Sequence, residues 1–527
     1  MKTITNPILK GFNPDPSILR VGSDYYIATS TFEWFPGVQI HHSRDLIHWK
    51  LIARPLNRVS QLDLRGASAS EGVWAPCLSY DRGVFYLIYT NVKLWRAGGP
   101  RDLQNYLVTA TDIKGEWSEP VYLNGSGFDP SLFHDDDGRK WLVNMLWDHR
   151  MGRNEFAGIV LQEYDPANKR LTGPVRNIFK GTHLGLTEGP HLYKRNGFYY
   201  LLTAEGGTRF EHAVTFARSK ELCGPYEVHP GNPILTSWPD PRLTLQRSGH
   251  GSLVETQKGE WYMAHLCGRP VPARGRCMLG RETAIQKMEW RDDGWIYLES
   301  GGNLPQVTVQ APDLPEAPWA AENTIDDFDD NELNIHFQTL RVPLGEDSLS
   351  LKERPGYLRL KGRESLSSKF HQSLVARRQQ AFRYTAATVV EFEPETFQQM
   401  AGLVALYDDN NYFYLHITHH EEKGKILDIL VCNAGEFNEP LREKVPINGW
   451  VQCYLKAEVD YHLLSFSFSS DGKEWIDIGP DFDASILSDE YTEPHRFTGA
   501  FVGLCCQDLS GQRKPADFDF FSYVERQ

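Results

Sequence analysis

The stretch Gly11-Phe12-Asn13-Pro14-Asp15-Pro16-Ser17 places one aspartate between two prolines near the start of the chain. Proline fixes its own φ and restricts the residue before it, so Asp15 has little backbone freedom. Alone, the stretch fits a polar turn as well as it fits a functional corner. A similar corner, followed by a short apolar strand, a polar turn and an aromatic strand, returns four more times along the chain.

These five segments form an internal repeat. They begin at Asp15, Ala75, Asp129, Glu188 and His250. Successive starts are 60, 54, 59 and 62 residues apart. A period of this length, with several strands and no long amphipathic helix, predicts the blades of a five-bladed β-propeller over residues 1–305. Five unrelated hairpins in a β-sandwich are the alternative.

Three of the repeat starts are carboxylates, Asp15, Asp129 and Glu188. Equivalent positions of propeller blades lie at equal distances from the central axis, so these groups are expected to meet. Glycosidic bond cleavage uses two carboxyl groups: one protonates the leaving oxygen, and the other activates water or attacks directly. A third carboxylate can raise the pKa of the acid by like-charge repulsion. A Ca²⁺ site is the alternative, because oxygen ligands also suit a hard cation.

Composition excludes several kinds of partner. The 527-residue chain has a formal net charge of −14 and no basic run, so we expect neither nucleic acid nor a membrane as a partner. Its eight cysteines show no zinc-binding spacing, which favours reduced thiols. The first residues contain no apolar targeting segment, and we therefore expect a cytoplasmic protein.

Six short motifs resemble glycoside hydrolase family 43, in particular its two-domain β-xylosidase branch. They are Asn13-Pro14-Asp15-Pro16-Ser17, Trp74-Ala75-Pro76, Gly127-Phe128-Asp129-Pro130-Ser131, Thr187-Glu188-Gly189-Pro190, Gly249-His250-Gly251-Ser252 and Leu279-Gly280-Arg281-Glu282-Thr283. The resemblance covers essentially the whole chain. It implies a five-bladed propeller and hydrolysis with inversion, with Asp15 as general base and Glu188 as general acid. It implies that Asp129 tunes the pKa of the acid and orients it.

Further residues are candidates for binding the sugar. The resemblance implies that Arg281 bonds sugar hydroxyls near the carboxylates; a structural ion pair is the alternative. Phe32, Trp74 and Trp147 occupy similar places in the first three blades, where each could wall the sugar site or simply pack in the core. By the repeat argument His250 faces the axis, and we favour a place in the pocket floor over a role as metal ligand.

The remainder of the chain predicts a linker and a second domain. Residues 306–322 hold several prolines and no periodic pattern, which indicates a semi-rigid linker. Short alternating strands over 323–527 predict a β-sandwich, and the resemblance makes it a lectin-like jelly roll. Asp327 and Asp519, near its two ends, could hold a structural Ca²⁺, with solvated acidic turns as the alternative. The resemblance implies that a loop of this domain supplies Phe497 to the active site.

The sequence therefore predicts an all-β, exo-acting, inverting glycoside hydrolase. Its substrate would be β-1,4-xylo-oligosaccharides, from whose non-reducing ends it would release D-xylose, with no cofactor required for catalysis. An α-L-arabinofuranosidase is the alternative within this class, and a non-catalytic carbohydrate-binding protein is the alternative outside it. A fructan hydrolase ranks below both, because its nucleophile motif is not found. We expect a homo-oligomer, either a dimer or a tetramer.

Overall fold

The computed structural model describes residues 2–95, 98–491 and 496–526. The regular elements of the described residues are β-strands, joined by turns and loops, apart from one 3₁₀ turn at Ala484–Ile486. Within this part of the chain no helix is long and apolar enough to cross a membrane. All eight cysteines are free thiols, and seven of them are buried. The all-β prediction is confirmed.

The N-terminal part is built of five consecutive antiparallel sheets. The first consists of Ser17–Val21, Asp24–Thr29, Gln39–Ser43 and Lys50–Ala53. The second consists of Gly72–Asp81, Val84–Leu94, Asp102–Ala110 and Val121–Asn124. The third consists of Ser131–His134, Lys140–Trp147, Phe156–Asp165 and Arg170–Phe179. The fourth consists of Glu188–Arg195, Phe198–Glu205, Ala213–Ser219, Glu227–Val228 and Leu235–Thr236. The fifth consists of Gln246–Glu255, Trp261–Gly268, Glu282–Trp290 and Ile296–Leu298.

These sheets are the blades of a propeller. The first strand of each blade contacts the first strand of the next, and the strand Ser17–Val21 also contacts Gln246–Glu255 of the fifth blade, which closes the ring. In the third blade, for example, the innermost strand Ser131–His134 is mostly buried and the outermost strand Arg170–Phe179 mostly exposed. The five-bladed propeller is thereby confirmed. The strand Thr3–Thr5 pairs with Thr308–Gln310, so part of the proline-containing stretch after the last blade packs on the propeller.

The C-terminal part is a sandwich of two antiparallel sheets. One contains Ile325–Asp326, Leu349–Ser350, Leu358–Lys361, Pro515–Glu525, Arg383–Glu391, Cys453–Asp460, Leu463–Ser469 and Ile476–Asp483. The other contains Ser373–Arg378, Phe501–Asp508, Gln399–Asp408, Asn411–His420, Gly424–Asn433, Glu436–Asn438 and Val445–Pro446. Their inner faces share one buried cluster that includes Tyr384, Leu403, Phe466 and Phe518.

The two parts share a hydrophobic interface. The short strand Trp34–Phe35 of the propeller pairs with Thr339–Leu340 of the sandwich. The Trp34 ring stacks on Phe501, with centroids 3.6 Å apart and planes inclined by 11°. Burying aromatic side chains of this size stabilises by about 1.5–3 kcal/mol each. The sandwich is therefore held against one face of the propeller, where its loops can reach the axis.

Candidate active site

The innermost strand of each blade contains, or begins within two residues after, a residue in the left-handed backbone region. The φ angles are +55° at Asp15, +38° at Ala75, +54° at Asp129, +56° at Gly189 and +48° at His250. Non-glycine residues adopt this conformation at a cost of about 1 kcal/mol or more, so tertiary contacts must hold them there. The shared conformation identifies these five residues as the equivalent positions of the blades.

This equivalence shifts the fourth repeat by one residue from the prediction. Gly189, not Glu188, occupies the axial corner of the fourth blade, and Glu188 takes the preceding position, as Trp74 does in the second blade. A Cβ at residue 189 would lie 3.1 Å from Nε2 of His250, so a side chain here would require the His250 ring to shift by a few tenths of an ångström. The side chain of Glu188 is therefore carried by backbone at the wall of the site, whereas those of Asp15 and Asp129 are carried by backbone at the axis.

These residues surround a cavity of about 150 Å³. Its lining consists of Asp15, Phe32, Trp74, Trp95, Phe128, Asp129, Phe156, Glu188, Gly207, Thr208, His212, His250, Arg281 and Phe497. The volume is below the roughly 300–1,000 Å³ of pockets for drug-sized ligands, which fits one small ring. Polar groups gather at the axis and aromatic rings around them, as in a site that binds the polar edge and apolar face of a sugar.

Asp15 is buried and held from several sides. Ser30 donates its hydroxyl to Oδ2 at 2.6 Å, and Nη1 of Arg281 lies 3.3 Å from Oδ1. Nδ1 of His250 lies 3.6 Å from the same oxygen. Burial acts to raise the pKa of Asp15, but Arg281, His250 and Ser30 together outweigh it and hold the pKa below its ordinary value. Asp15 is consequently ionised at neutral pH.

Glu188 and Asp129 behave in the opposite way. Burial, and then the negative charge of Asp15, raise the pKa of Glu188 to about 8. Burial, Glu188 and Asp15 also raise the pKa of Asp129 well above its ordinary value, although Oδ2 of Asp129 accepts the Gly189 N–H at 3.0 Å. Like charges that cannot both be solvated disfavour ionisation. The site thus holds an ionised carboxylate beside carboxyl groups that keep a proton.

Arg281 connects the carboxylates to the rim. Besides Asp15, Nη1 lies 3.1 Å from the hydroxyl of Thr208, and Nη2 donates to the carbonyl of Phe497 at 3.0 Å. Its guanidinium carbon lies 5.3 Å from the Phe32 ring centroid and 5.5 Å from that of Phe497. One arginine therefore contacts the base of the pocket, its wall and the sandwich domain.

Three of the four aromatic residues predicted to line the sugar site, Phe32, Trp74 and Phe497, line the cavity. Phe497 contributes from the sandwich and lies 5.6 Å from Trp74 and 6.4 Å from Phe32, centroid to centroid. Trp147 is not among the residues that line the cavity. Its ring packs 5.8 Å from Trp95 and 5.6 Å from Phe156, which do line it. Trp147 thus lies one layer behind the surface of the pocket.

Several lining residues were not singled out from the sequence. Phe128 precedes Asp129 as Trp74 precedes Ala75, so the repeat itself carried that signal. Trp95 and Thr208 lie in loops and Phe156 begins the strand Phe156–Asp165, at places without a shared sequence pattern. His212 accompanies His250 at the axis; its Nδ1 donates to the Arg247 carbonyl at 3.1 Å, and burial, then His250, lower its pKa to about 3. His212 is therefore neutral under ordinary conditions.

The two aspartates proposed for calcium lie in an acidic corner of the sandwich. Burial and then Glu391 raise the pKa of Asp519, and Asp327 adds to the effect. Arg354 donates to both Glu391 and Asp517, so cations of the chain already pair with this corner. Among the described residues no group of three or more His, Cys, Asp or Glu side chains could hold a metal ion. The calcium site stays a prediction.

Two family models and several known proteins match this chain. The family model "Glycosyl hydrolases family 43" matches residues 4–296, and "Beta xylosidase C-terminal Concanavalin A-like domain" matches residues 325–524. The chain is 54% identical to a β-xylosidase of Bacillus subtilis strain 168, covering 99% of this chain and 100% of that protein. It is 53% identical to xylosidase/arabinosidase 43B of Humicola insolens, covering 99% and 98%.

A solved structure matches the fold of nearly the whole chain. The crystal structure of a xylan β-1,4-xylosidase from Bacillus halodurans C-125 matches with a TM-score of 0.98 and 58% identity, covering 99% of this chain and 100% of that one. The resemblance seen in the six motifs is confirmed over both domains. The chain belongs to glycosyl hydrolases family 43.

Proposed function

We propose that this protein is an exo-acting, inverting β-xylosidase that releases D-xylose from the non-reducing ends of β-1,4-xylo-oligosaccharides. One observation carries the proposal. Asp15, whose pKa is lowered, and Glu188, whose pKa is raised to about 8, line the same small pocket. Two carboxyl groups in opposite protonation states are what general base and general acid catalysis of glycoside hydrolysis require.

The reaction follows from these states. Asp15 accepts a proton from a water molecule as the water oxygen forms a bond to the anomeric carbon. Glu188 donates its proton to the glycosidic oxygen as the bond from that oxygen to the anomeric carbon breaks. The products are xylose of inverted configuration and the shortened oligosaccharide. Return of the proton from Asp15 to solvent and uptake of one by Glu188 restore the enzyme.

The surrounding residues support these two. Ser30 and Arg281 each bond Asp15, which fixes the carboxylate while leaving lone pairs for the water. Glu188 and Asp15 raise the pKa of Asp129, so ionisation of Asp129 and of Glu188 oppose one another in this buried site, and the Gly189 N–H orients Asp129. Asp129 is thus assigned to positioning and pKa control.

The exo mode rests on the shape of the site. Phe497 narrows the pocket from the sandwich side, and its carbonyl is bonded by Arg281. A pocket closed in this way admits the terminal sugar of a chain and excludes an internal one. No cofactor is needed for the chemistry proposed. We also propose a cytoplasmic location and a homo-oligomer.

Arabinofuranosidase activity is the second candidate. It is favoured by the 53% identity to the Humicola insolens enzyme named xylosidase/arabinosidase. Comparing kcat/KM on nitrophenyl β-D-xyloside and nitrophenyl α-L-arabinofuranoside ranks the two. A larger value on the arabinofuranoside would reverse the assignment.

The deciding experiment follows xylobiose hydrolysis by ¹H NMR. We expect α-xylose to appear first and to mutarotate later. First-formed β-xylose would contradict inversion, and absence of cleavage with retained sugar binding would favour a binding protein instead.

A further inference from the structure

A second cavity lies between the propeller and the sandwich, next to the segment that carries Asp15. Its volume is about 270 Å³, and its lining comes from the first blade, the stretch after the propeller and the sandwich. Asn13 lies in this lining and is bonded to Gln39, whose Nε2 donates to Oδ1 of Asn13 at 2.8 Å. The cavity is separate from the active site, yet it borders the residue two positions before Asp15.

The lining is strongly basic in an acidic protein. Its charged residues are Lys10, Lys50, Arg54, Arg377, Arg378 and Glu322. The one carboxylate among them, Glu322, bonds Nε2 of His336 at 2.8 Å. Five cations therefore face one anion, although the whole chain has a net charge of −14. A concave surface with one sign of charge concentrates ions of the opposite sign.

In the guanidinium groups of Arg54 and Arg378 only some of the N–H donors have a hydrogen-bond acceptor among the described residues. Nε of Arg54 donates to the Ile335 carbonyl at 2.9 Å, while its Nη1 and Nη2 have no acceptor among the described residues. Nε of Arg378 donates to the Phe12 carbonyl at 2.6 Å and Nη1 to the Gln338 side chain, while Nη2 has no acceptor in that same part of the chain.

The donors without acceptors belong to buried groups. Arg54 is 9% exposed, Arg378 5% and His41 8%, and Nδ1 of His41 is likewise unpaired within the described residues. Buried donors without acceptors are costly, and a buried charge without a counter-ion is more so. Neighbouring carbonyls hold Nε of Arg54 and Nε of Arg378 at the cavity, and the one carboxylate in its lining, Glu322, is bonded to His336.

The cations also repel one another. Burial lowers the pKa of Arg54 to about 9. Burial, with the charge of Arg54, lowers the pKa of Arg378 well below its usual range. Burial, with Arg378, Arg54 and His336, lowers that of His41. Both arginines remain charged at neutral pH. Water in the cavity could accept hydrogen bonds, but it would leave the mutual repulsion in place.

We propose that this cavity binds a small multivalent oxyanion, held by the guanidinium groups of Arg54, Arg377 and Arg378. Inorganic phosphate and di- or tricarboxylates belong to this class, and guanidinium groups match their oxygens through paired N–H donors. The bound anion would join the first blade to the strand Ser373–Arg378 of the sandwich. It would thereby stabilise the interface beside the Asp15 segment, whether or not the glycosidase proposal is correct.

The test measures thermal unfolding of the full-length protein. Phosphate, sulfate and citrate are each added at a constant ionic strength set by NaCl. We expect a saturable rise in Tm of about 3 °C or more with at least one of them, as for a ligand bound only by the folded state. Titration calorimetry with the same ions should give one site per chain. The ranking of phosphate against citrate separates an inorganic from a carboxylate ligand.

Variants assign the effect to the cavity. Arg54→Gln should abolish the anion-dependent rise in Tm, while Arg44→Gln, which removes an exposed arginine paired with Asp24, should retain it. Without multivalent anions, Arg54→Gln should unfold at the same temperature as the wild type or higher, because it removes a buried charge with no acidic partner. If Arg54→Gln does not fold, Arg377→Gln, at a partly exposed position, takes its place.

Three results would overturn the proposal. They are a wild-type Tm that depends on ionic strength alone, an anion response retained in the cavity variants, and calorimetry showing no saturable site. None of them bears on xylobiose cleavage, so failure here is distinguishable from failure of the proposed reaction.

Discussion

The backbone N–H of Gly189 donates a 3.0 Å hydrogen bond to Oδ2 of Asp129 and so ties the fourth blade to the third at the axis. The same glycine adopts φ of +56°, and a Cβ there would come within 3.1 Å of the His250 ring, which would have to shift to admit it. Since Glu188 is the preceding residue, the bond also sets the position from which its carboxyl group extends. Positioning of the acid therefore depends on a residue with no side chain.

Gly189→Ala should reduce activity more than its effect on folding explains. The new Cβ would displace His250 or the Asp129–Gly189 bond, and a misplacement of about 1 Å can cost roughly 100-fold in rate. We expect kcat on nitrophenyl β-D-xyloside to fall by about tenfold or more, with a lower Tm. Gly197→Ala is the matched control: it has φ of +76° but nothing within 4 Å of the new Cβ. Equal kcat in the two variants would contradict this reading.

The pH dependence of kcat/KM should have two limbs. Activity requires Glu188 protonated, so it should fall as pH rises through about 8, the value that burial and Asp15 impose on its pKa. Activity also requires Asp15 ionised, so it should fall as pH drops through the lowered pKa of that group. Glu188→Gln should remove the alkaline limb from whatever activity remains on activated aryl xylosides. An alkaline limb that persists in this variant would assign it to another group.

The two catalytic carboxyl groups should affect stability with opposite signs. The folded-state pKa of Glu188 is raised, so its stabilising contribution is complete below its unfolded pKa and is lost as pH rises through the folded value. The folded-state pKa of Asp15 is lowered, so its contribution is present above the unfolded pKa and is lost as pH falls through the folded value.

At pH 7.5, Glu188→Gln should therefore raise Tm, and Asp15→Asn should lower it, although both variants should lose nearly all hydrolysis of xylobiose. Near pH 4 the gain from Glu188→Gln should disappear, because the wild-type residue is then protonated in both states. Calorimetric scans of both variants at the two pH values test this. A gain in Tm that is independent of pH would indicate packing rather than ionisation.

Phe497→Ala should weaken binding of the terminal sugar in the pocket. It removes the ring that lies 5.6 Å from Trp74 and 5.5 Å from the guanidinium carbon of Arg281, while the carbonyl bonded by Arg281 remains. We expect kcat/KM on xylobiose to fall by about tenfold or more, the equivalent of about 1.4 kcal/mol, mainly through a higher KM. Phe437→Ala, an exposed aromatic of the same domain, should leave kcat/KM unchanged. Similar losses in both variants would point to a general effect on the sandwich.

The repeated corners and hairpins of the sequence determined the fold class, the number of blades and the three carboxylates. These features are local: alternation along a strand and the chemistry of a turn depend on neighbouring residues, and the repeat multiplies the signal. Asp15, Asp129 and His250 could be assigned to the axis for this reason.

The tertiary structure alone decided three other features. The first is the offset that puts Gly189 at the axis and Glu188 on the wall, because φ at one residue determines which of two neighbours faces inward. The second is the order of the rings, with Trp95 lining the pocket and Trp147 behind it. The third is the meeting of Arg54 with Arg378 across the domain interface. Contacts between chain segments so far apart depend on how two cores pack together, and no local pattern encodes that packing.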